Sequence, residues 1–129
     1  MPFQDSSIDL ITCATAAHWF DFSKFHQEVD RVLKPLGCLA VYCYGMSYLQ
    51  YEDCTDELNR NVWQFYQGSL KGCWNKGQPY IDNNYRDLPM PYEDTERLYD
   101  ATKTTKPAEE LIFHVSFPVF LLMSRKPEQ

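Results

Sequence analysis

Two neighbouring side chains that could take part in binding or catalysis, His18 and Trp19, follow closely after a short apolar run. A histidine can orient a substrate or remove its proton, and an indole ring can form one wall of a pocket. The residues just before them, 13–17, are small, and small residues let a flat ligand approach the backbone. The alternative is a capping or packing pair at the end of a loop, and a single histidine does not decide between the two.

The pair lies in the loop of a predicted βαβ unit that spans residues 2–44. Residues 8–12 and 38–44 are apolar and are predicted as strands. Between them, apolar residues recur every three or four positions from Phe22 to Leu33, which predicts a helix with Asp21 as its N-cap. Two strands joined by a helix are parallel, so the loop that holds the pair opens at the carboxyl end of the sheet. Proteins of the α/β class bind ligands at that end.

Three segments of this unit resemble class I S-adenosylmethionine-dependent methyltransferases. They are P-F-x-D-S-S-I-D-L-I-T at residues 2–12, A-H-W-F-D at 17–21 and E-V-x-R-V-L-K-P-x-G at 28–37. The likeness is strongest to the methyltransferase type 11 subgroup with a His-Trp-Phe-Asp loop, which includes trans-aconitate-methyltransferase-like proteins. It covers the first third of the chain closely and returns in patches later.

The resemblance implies an α/β chain of one domain, residues 1–129, that carries the C-terminal half of a Rossmann-like methyltransferase domain. In the family's seven-stranded sheet, of order 3-2-1-4-5-7-6, this chain would supply strands 4-5-7-6. The implied cofactor is S-adenosyl-L-methionine, and the implied substrate is a small molecule, for which a carboxylated acceptor is one candidate. His18 is the candidate catalytic residue. The implied cofactor contacts are Thr12, Cys13, Ala14, His18 and Trp19.

A second part of the chain resembles the segment that this subgroup lays over its active site. Residues 74–85 follow the order W-x-x-G-x-x-x-I-D-x-x-Y. Residues 68–92 are therefore predicted to form a substrate lid, with Trp74, Tyr80 and Tyr85 facing the substrate. The alternative is a long surface loop that its aromatic residues hold down. The residues that follow Gly45, namely 46–48, are expected to face the same crevice.

The chain departs from the family pattern in two places. No G-x-G-x-G turn for the cofactor is present, and the family's helix between its last two strands is missing from the interval after residue 93. The sequence is therefore predicted to be N-terminally truncated and internally shortened, with weakened cofactor binding. A non-catalytic fragment or isoform that associates with another chain is the second interpretation. A stand-alone small-molecule binding module is the third.

Composition narrows the classes of partner. The 129 residues hold 12 Lys and Arg against 18 Asp and Glu, a formal charge of −6, whereas nucleic-acid binders carry a basic face. The five cysteines form no C-x-x-C pair and no metal-binding spacing, which indicates free thiols in a reducing compartment. His114, Ser116 and Pro118 interrupt the longest apolar run, so no membrane span is predicted. These features predict a cytoplasmic protein without nucleic-acid, membrane or metal partners.

Three further elements are predicted. Residues 56–67 carry an apolar stripe and are expected to pack as a helix on the core. Residues 102–105 are interpreted as a linker, and residues 111–123 as the last strand. The strand at residues 8–12 would lie at the edge of a half sheet. An apolar edge offers unpaired backbone groups to other chains, so self-association is expected there.

Overall fold

The computed structural model describes residues 1–51, 54–73, 76–105 and 114–128. Five strands and four helical segments follow one another along these residues. They are β1 (Ile8–Ala14), a 3₁₀ turn (Ala17–Trp19), α1 (Phe22–Val32), β2 (Leu33–Tyr44), β3 (Tyr48–Gln50), α2 (Thr55–Gln67), α3 (Gln78–Asp82), β4 (Thr95–Thr105) and β5 (His114–Arg125).

The sheet is built around β5. The parallel pair β1 and β2 begins the sheet, and β2 pairs antiparallel with β5 from Cys38 opposite Arg125 to Tyr44 opposite Val119. The short strand β3 also pairs antiparallel with β5, at residues 114–116, beyond the part of β5 that pairs with β2. On its other edge β5 pairs antiparallel with β4. The predicted parallel βαβ unit is thus confirmed. The neighbour order β1-β2-β5-β4 agrees with the expected half sheet, whereas the family's numbering of these strands stays a prediction.

Helix α1 begins and ends where the sequence predicts. The Asp21 side chain accepts a hydrogen bond from the Lys24 backbone amide at 3.3 Å, so Asp21 is the N-cap. Leu33 leaves the helix in an extended conformation, two residues before Pro35. A residue that precedes a proline disfavours the helical conformation, which explains a stop in this region. Val29 and Val32 are fully buried against the sheet.

One face of the sheet carries the core. Alternate residues of β2 and β5 point into it, together with the inner side of α1 and part of the segment between α3 and β4. The buried apolar members are Cys13, Ala17, Val29, Leu33, Leu39, Val41, Cys43, Tyr85, Leu88, Phe120 and Leu122. On the opposite face, Leu10, Tyr42 and Tyr44 are 56%, 41% and 53% exposed. The described helices and loops therefore cover one face of the sheet and leave these side chains open to solvent.

Two predictions about the second half of the chain are wrong. Residues 102–105 are not a linker but the end of β4, where Thr102 and Thr104 pair with Pro118 and Ser116. Threonine is β-branched and favours strands, and the backbone of β5 supplies the missing partner. The other error concerns α2, which forms as predicted but buries none of its residues.

The beginning of the predicted last strand, residues 111–113, lies outside the described residues. From His114 onward β5 forms as expected, although it continues to Arg125. All five cysteines are free. In the described part of the chain, no helix is both long and apolar enough to cross a membrane, and no group of three potential metal-binding side chains occurs.

Candidate functional site

A crevice of about 400 Å³ opens where β1 and β2 end. We call it the histidine crevice. The loop after β1 contributes Thr15, His18 and Trp19, and the loop after β2 contributes residues 45–47. The remaining wall comes from α2, α3 and β5, through Tyr66, Gln78, Ile81 and Phe117. Two loops that follow neighbouring parallel strands thus meet at one edge of the sheet, which is the arrangement that binds ligands in α/β proteins.

His18 is the buried histidine that lines this crevice. It is 7% exposed, and its Nδ1 lies 2.5 Å from the hydroxyl oxygen of Tyr85. Burial lowers the pKa of the His18 imidazole below its usual range. Trp19 stands beside it with the ring centroids 5.4 Å apart and is 63% exposed. The crevice therefore joins a neutral imidazole to an accessible aromatic wall.

Tyr85 is part of the core rather than of the crevice wall. It is fully buried, and its ring meets the ring of Phe120 edge to face at a centroid distance of 4.9 Å. Burial, with a smaller contribution from Cys43, raises the pKa of the Tyr85 phenol. Tyr85 thus reaches the crevice only through its hydroxyl contact with His18.

A left-handed turn carries Tyr85 to that position. Both Asn84 and Tyr85 have positive φ angles, 51° and 57°, which are unfavourable for residues other than glycine. The turn lies close to Gly45, where a Cβ atom would come within 2.9 Å of the Asn84 side-chain oxygen. Arg97 of β4 donates to the carbonyl oxygens of Tyr85 and Leu88 at 2.9 and 3.0 Å. These contacts hold the strained turn against the sheet.

A polar cluster on the far wall of the crevice was not predicted from the sequence. The Tyr66 hydroxyl donates to Oδ1 of Asp82 at 2.6 Å, and Gln78 donates to both side chains. Burial raises the pKa of the Tyr66 phenol, with Asp82 adding to the effect. The spacing of Gln78 and Asp82, four residues apart on one helical face, is the signal that could have found the pair.

A second concavity, of about 570 Å³, lies beside β1 and α1. We call it the edge cleft. Thr12, Cys13 and Ala14 line it together with the aromatic rings of Phe20 and Phe25, whose centroids are 4.8 Å apart. Its charged lining side chains are Asp21, Lys24 and Glu28. Burial raises the pKa of the Cys13 thiol, so this side chain acts as an apolar wall.

The predicted site residues therefore fall into separate groups. Thr12, Cys13 and Ala14 line the edge cleft, whereas His18 and Trp19 line the histidine crevice. Tyr80 lines neither cavity, because its ring packs against Phe22 at 5.4 Å. Of residues 46–48, Met46 and Ser47 line the crevice, whereas Tyr48 lies in β3 and does not line it. Tyr85 is buried behind His18, and Trp74 lies outside the described residues.

Comparisons with known proteins identify the family of this site. The family described as "Methyltransferase domain" matches residues 1–41, the segment that contains β1, His18 and α1. A protein of Dictyostelium discoideum named as a methyltransferase is 32% identical over 91 residues. Residues 1–41 of this chain belong to the methyltransferase domain family. Two Schizosaccharomyces pombe proteins, named as a methyltransferase and as methyltransferase-like, are each 44% identical over 41 residues.

The match covers unequal shares of the proteins compared. The aligned region is 70% of this chain but 34% of the Dictyostelium protein, and 32% of this chain but 16% of each S. pombe protein. Among solved structures, a protein of Anaeromyxobacter dehalogenans described as a type II methyltransferase superposes with a TM-score of 0.66 at 19% identity. That superposition covers 98% of this chain and 68% of the other. It supports the Rossmann-like α/β fold of this chain.

The burial of His18 predicts how stability depends on pH. Its pKa is lower in the folded chain than the usual value near 6.5, so below about pH 6.5 the unfolded chain binds a proton that the folded chain resists. The free energy of unfolding should therefore fall as the pH drops from 7 towards 5. Denaturant titrations at several pH values measure this slope.

Replacement of His18 by glutamine should reduce that slope, because the residue that takes up the proton on unfolding is gone. His26 is a matched comparison, since burial also lowers its pKa although the backbone of Pro89 partly opposes the shift. A slope that is the same in wild type and His18→Gln would contradict the assignment of His18 as a buried neutral imidazole.

Proposed function

We propose that this chain contributes the acceptor crevice of an S-adenosylmethionine-dependent methyltransferase that acts on a small molecule. The observation that carries the proposal is that residues 1–41, which match the family, also supply His18 and Trp19 to the crevice. The cavity's volume of about 400 Å³ suits a small-molecule acceptor rather than a macromolecular one. The crevice also lies at the carboxyl ends of the parallel strands β1 and β2, where α/β proteins bind their ligands, and this position supports the proposal.

The edge cleft fits part of the cofactor. Small side chains at positions 12–14 allow close approach to the backbone of β1, and the rings of Phe20 and Phe25 can attract a sulfonium through cation–π contacts. When bound, S-adenosylmethionine supplies a methyl group on sulfur, and transfer to the acceptor breaks the carbon–sulfur bond with its electron pair left on sulfur. The sequence offers no G-x-G-x-G turn for the rest of the cofactor, so we expect this chain alone to bind it weakly.

The residues of the chain then act by positioning. Methyl transfer depends mainly on the distance and alignment between acceptor atom and methyl group. Trp19 gives a flat, accessible surface against which an acceptor can stack, and His18 gives a polar contact at the base. Gln78 and Tyr66 supply polar groups on the opposite wall. Residues 68–92, which include Gln78 but not Tyr66, remain our proposed lid.

Trp19 provides the test. In a Trp63→Phe, Trp74→Phe variant, Trp19 is the remaining tryptophan of the chain. Methyl transfer requires the cofactor in the edge cleft to reach an acceptor beside Trp19, whose indole is 63% exposed in the histidine crevice. We therefore expect the fluorescence of Trp19 to change when S-adenosylmethionine is added. We expect weak binding, with a dissociation constant above the micromolar range, and isothermal titration calorimetry measures that constant independently.

The same variant carrying Trp19→Phe is the control and should lose the fluorescence signal but not the calorimetric heat. Saturable heat without any change in Trp19 emission would place Trp19 outside the ligand site. Absence of heat up to millimolar cofactor would reject cofactor binding by this chain. Micromolar binding would reject the expected weakening and indicate a replacement for the Gly-rich turn.

A second function is favoured by one observation. Strand β1 pairs with β2 on one side and lies at the edge of the described sheet, next to an uncovered apolar face. A role through association with another chain, without catalysis, would use that edge.

A further inference from the structure

The contact between His18 and Tyr85 leaves one ring nitrogen for a ligand. Nδ1 of His18 lies 2.5 Å from the Tyr85 hydroxyl oxygen, so it is engaged on the core side. His18 also lines the histidine crevice. Nε2, the other ring nitrogen, is therefore the atom that can meet a molecule in the crevice. Whether Nε2 carries the proton of the neutral imidazole depends on the hydrogen bond that Nδ1 makes.

The surroundings of the phenol make Tyr85 the donor in this contact. The side chain is fully buried, so its O–H must find an acceptor inside the protein. Cys43 is a poorer partner, because sulfur is a weak acceptor and the Cys43 thiol donates to the Tyr44 carbonyl oxygen at 3.5 Å. Neutral Nδ1 is the strongest acceptor in reach, and it has no proton of its own when it accepts.

Arg97 holds the hydroxyl where this bond requires it. Tyr85 sits in a left-handed turn with a φ of 57°, a conformation that costs free energy outside glycine. Two nitrogens of the Arg97 guanidinium bind the carbonyl oxygens of Tyr85 and Leu88, and the planar fork fixes both ends of the turn together. Loss of this clamp would let the Tyr85 backbone relax and move the hydroxyl away from His18.

We infer that Tyr85 and Arg97 are positioning residues that hold His18 with its proton on Nε2, facing the crevice as a hydrogen-bond donor. On this assignment His18 orients an acceptor molecule through one of its oxygen or nitrogen lone pairs and does not remove its proton. The inference deepens the proposed function, since it names the role of the crevice histidine. It favours acceptors that present a lone pair beside the reacting atom.

Nitrogen-15 NMR of the imidazole tests the assignment without cofactor or acceptor. In a His26→Gln, His114→Gln background, His18 is the one remaining histidine. Long-range proton–nitrogen spectra distinguish a protonated ring nitrogen from an unprotonated one. We expect protonated Nε2 and unprotonated Nδ1 at neutral pH. The opposite tautomer would overturn the inference, even if cofactor binding were found, and the expected tautomer would support it even if methyl transfer were not.

Two variants separate positioning from simple packing. Tyr85→Phe keeps the ring against Phe120 and removes the hydroxyl, so the ratio of the two tautomers should fall about fivefold, the factor that one neutral hydrogen bond supports. Arg97→Lys keeps the charge but cannot bind both carbonyls as a planar fork, and it should move the ratio in the same direction by less. An unchanged ratio in folded Tyr85→Phe would reject the role of Tyr85, and an unchanged ratio in Arg97→Lys that of Arg97. Should either variant fail to fold, the wild-type tautomer still decides the assignment.

Discussion

Replacement of Phe120 by alanine is expected to lower the free energy of unfolding by about 3–5 kcal/mol. Phe120 is 1% exposed, lies opposite Cys43 in the central β2–β5 pair and packs edge to face on Tyr85. The truncated side chain would leave a cavity where the sheet, the α3–β4 segment and the histidine crevice meet. Since small domains are stable by only about 5–15 kcal/mol, much of the native population should be lost. Urea titration followed by circular dichroism measures the change.

Phe65 offers the matched control. It is 57% exposed on α2, so Phe65→Ala should change the free energy of unfolding by no more than about 0.5 kcal/mol. If both alanine variants cost the same, the core would not be centred on Phe120. A selective loss in Phe120→Ala would show that the core is centred on the contact between Phe120 and the Tyr85 ring.

The sequence was sufficient to predict the βαβ unit because its signals are local. The spacing of apolar residues in α1, the carboxylate of Asp21 and the proline at position 35 each act within a few residues of the helix end they determine. The alternating burial of β2 follows from period-two side-chain geometry once the strand is recognised. The loop with His18 and Trp19 could be placed because the handedness of a parallel crossover fixes which end of the sheet it occupies.

The rest depends on contacts between distant residues. Residues 102 and 104 lack an apolar pattern, so the local sequence indicated a linker. They form a strand because their backbone pairs with β5, which lies further along the chain. Tyr85 was a predicted substrate contact, but its ring lies in the core, because two left-handed residues turn the chain inward there. Arg97 carried no motif at all. Its role emerges only when β4 is placed beside the turn, 12 residues earlier in the chain.

The isolated chain is expected to self-associate through β1. In the described sheet β1 has a partner on one side, and Leu10, in the middle of its open edge, is 56% exposed. The adjoining sheet face adds the exposed rings of Tyr42 and Tyr44. An apolar edge with unpaired backbone groups recruits further strands, and Asp9, its one acidic residue, is already bound to Lys34 at 2.9 Å. Size-exclusion chromatography with light scattering should therefore give dimers or larger species.

A charge placed on the edge should reverse this behaviour. Leu10→Lys puts an ammonium group in the middle of β1, where a second strand would have to bury it, and should shift the population towards monomer. Leu36→Lys is the matched control, because Leu36 is similarly exposed, at 55%, but lies in β2, at the register shift between its paired residues Leu33 and Cys38, and not on the open edge of β1. A cooperative monomer in the wild type would exclude the edge as an association site. Equal effects of the two lysines would point to net charge instead, since both change the chain's charge of −6 by one unit.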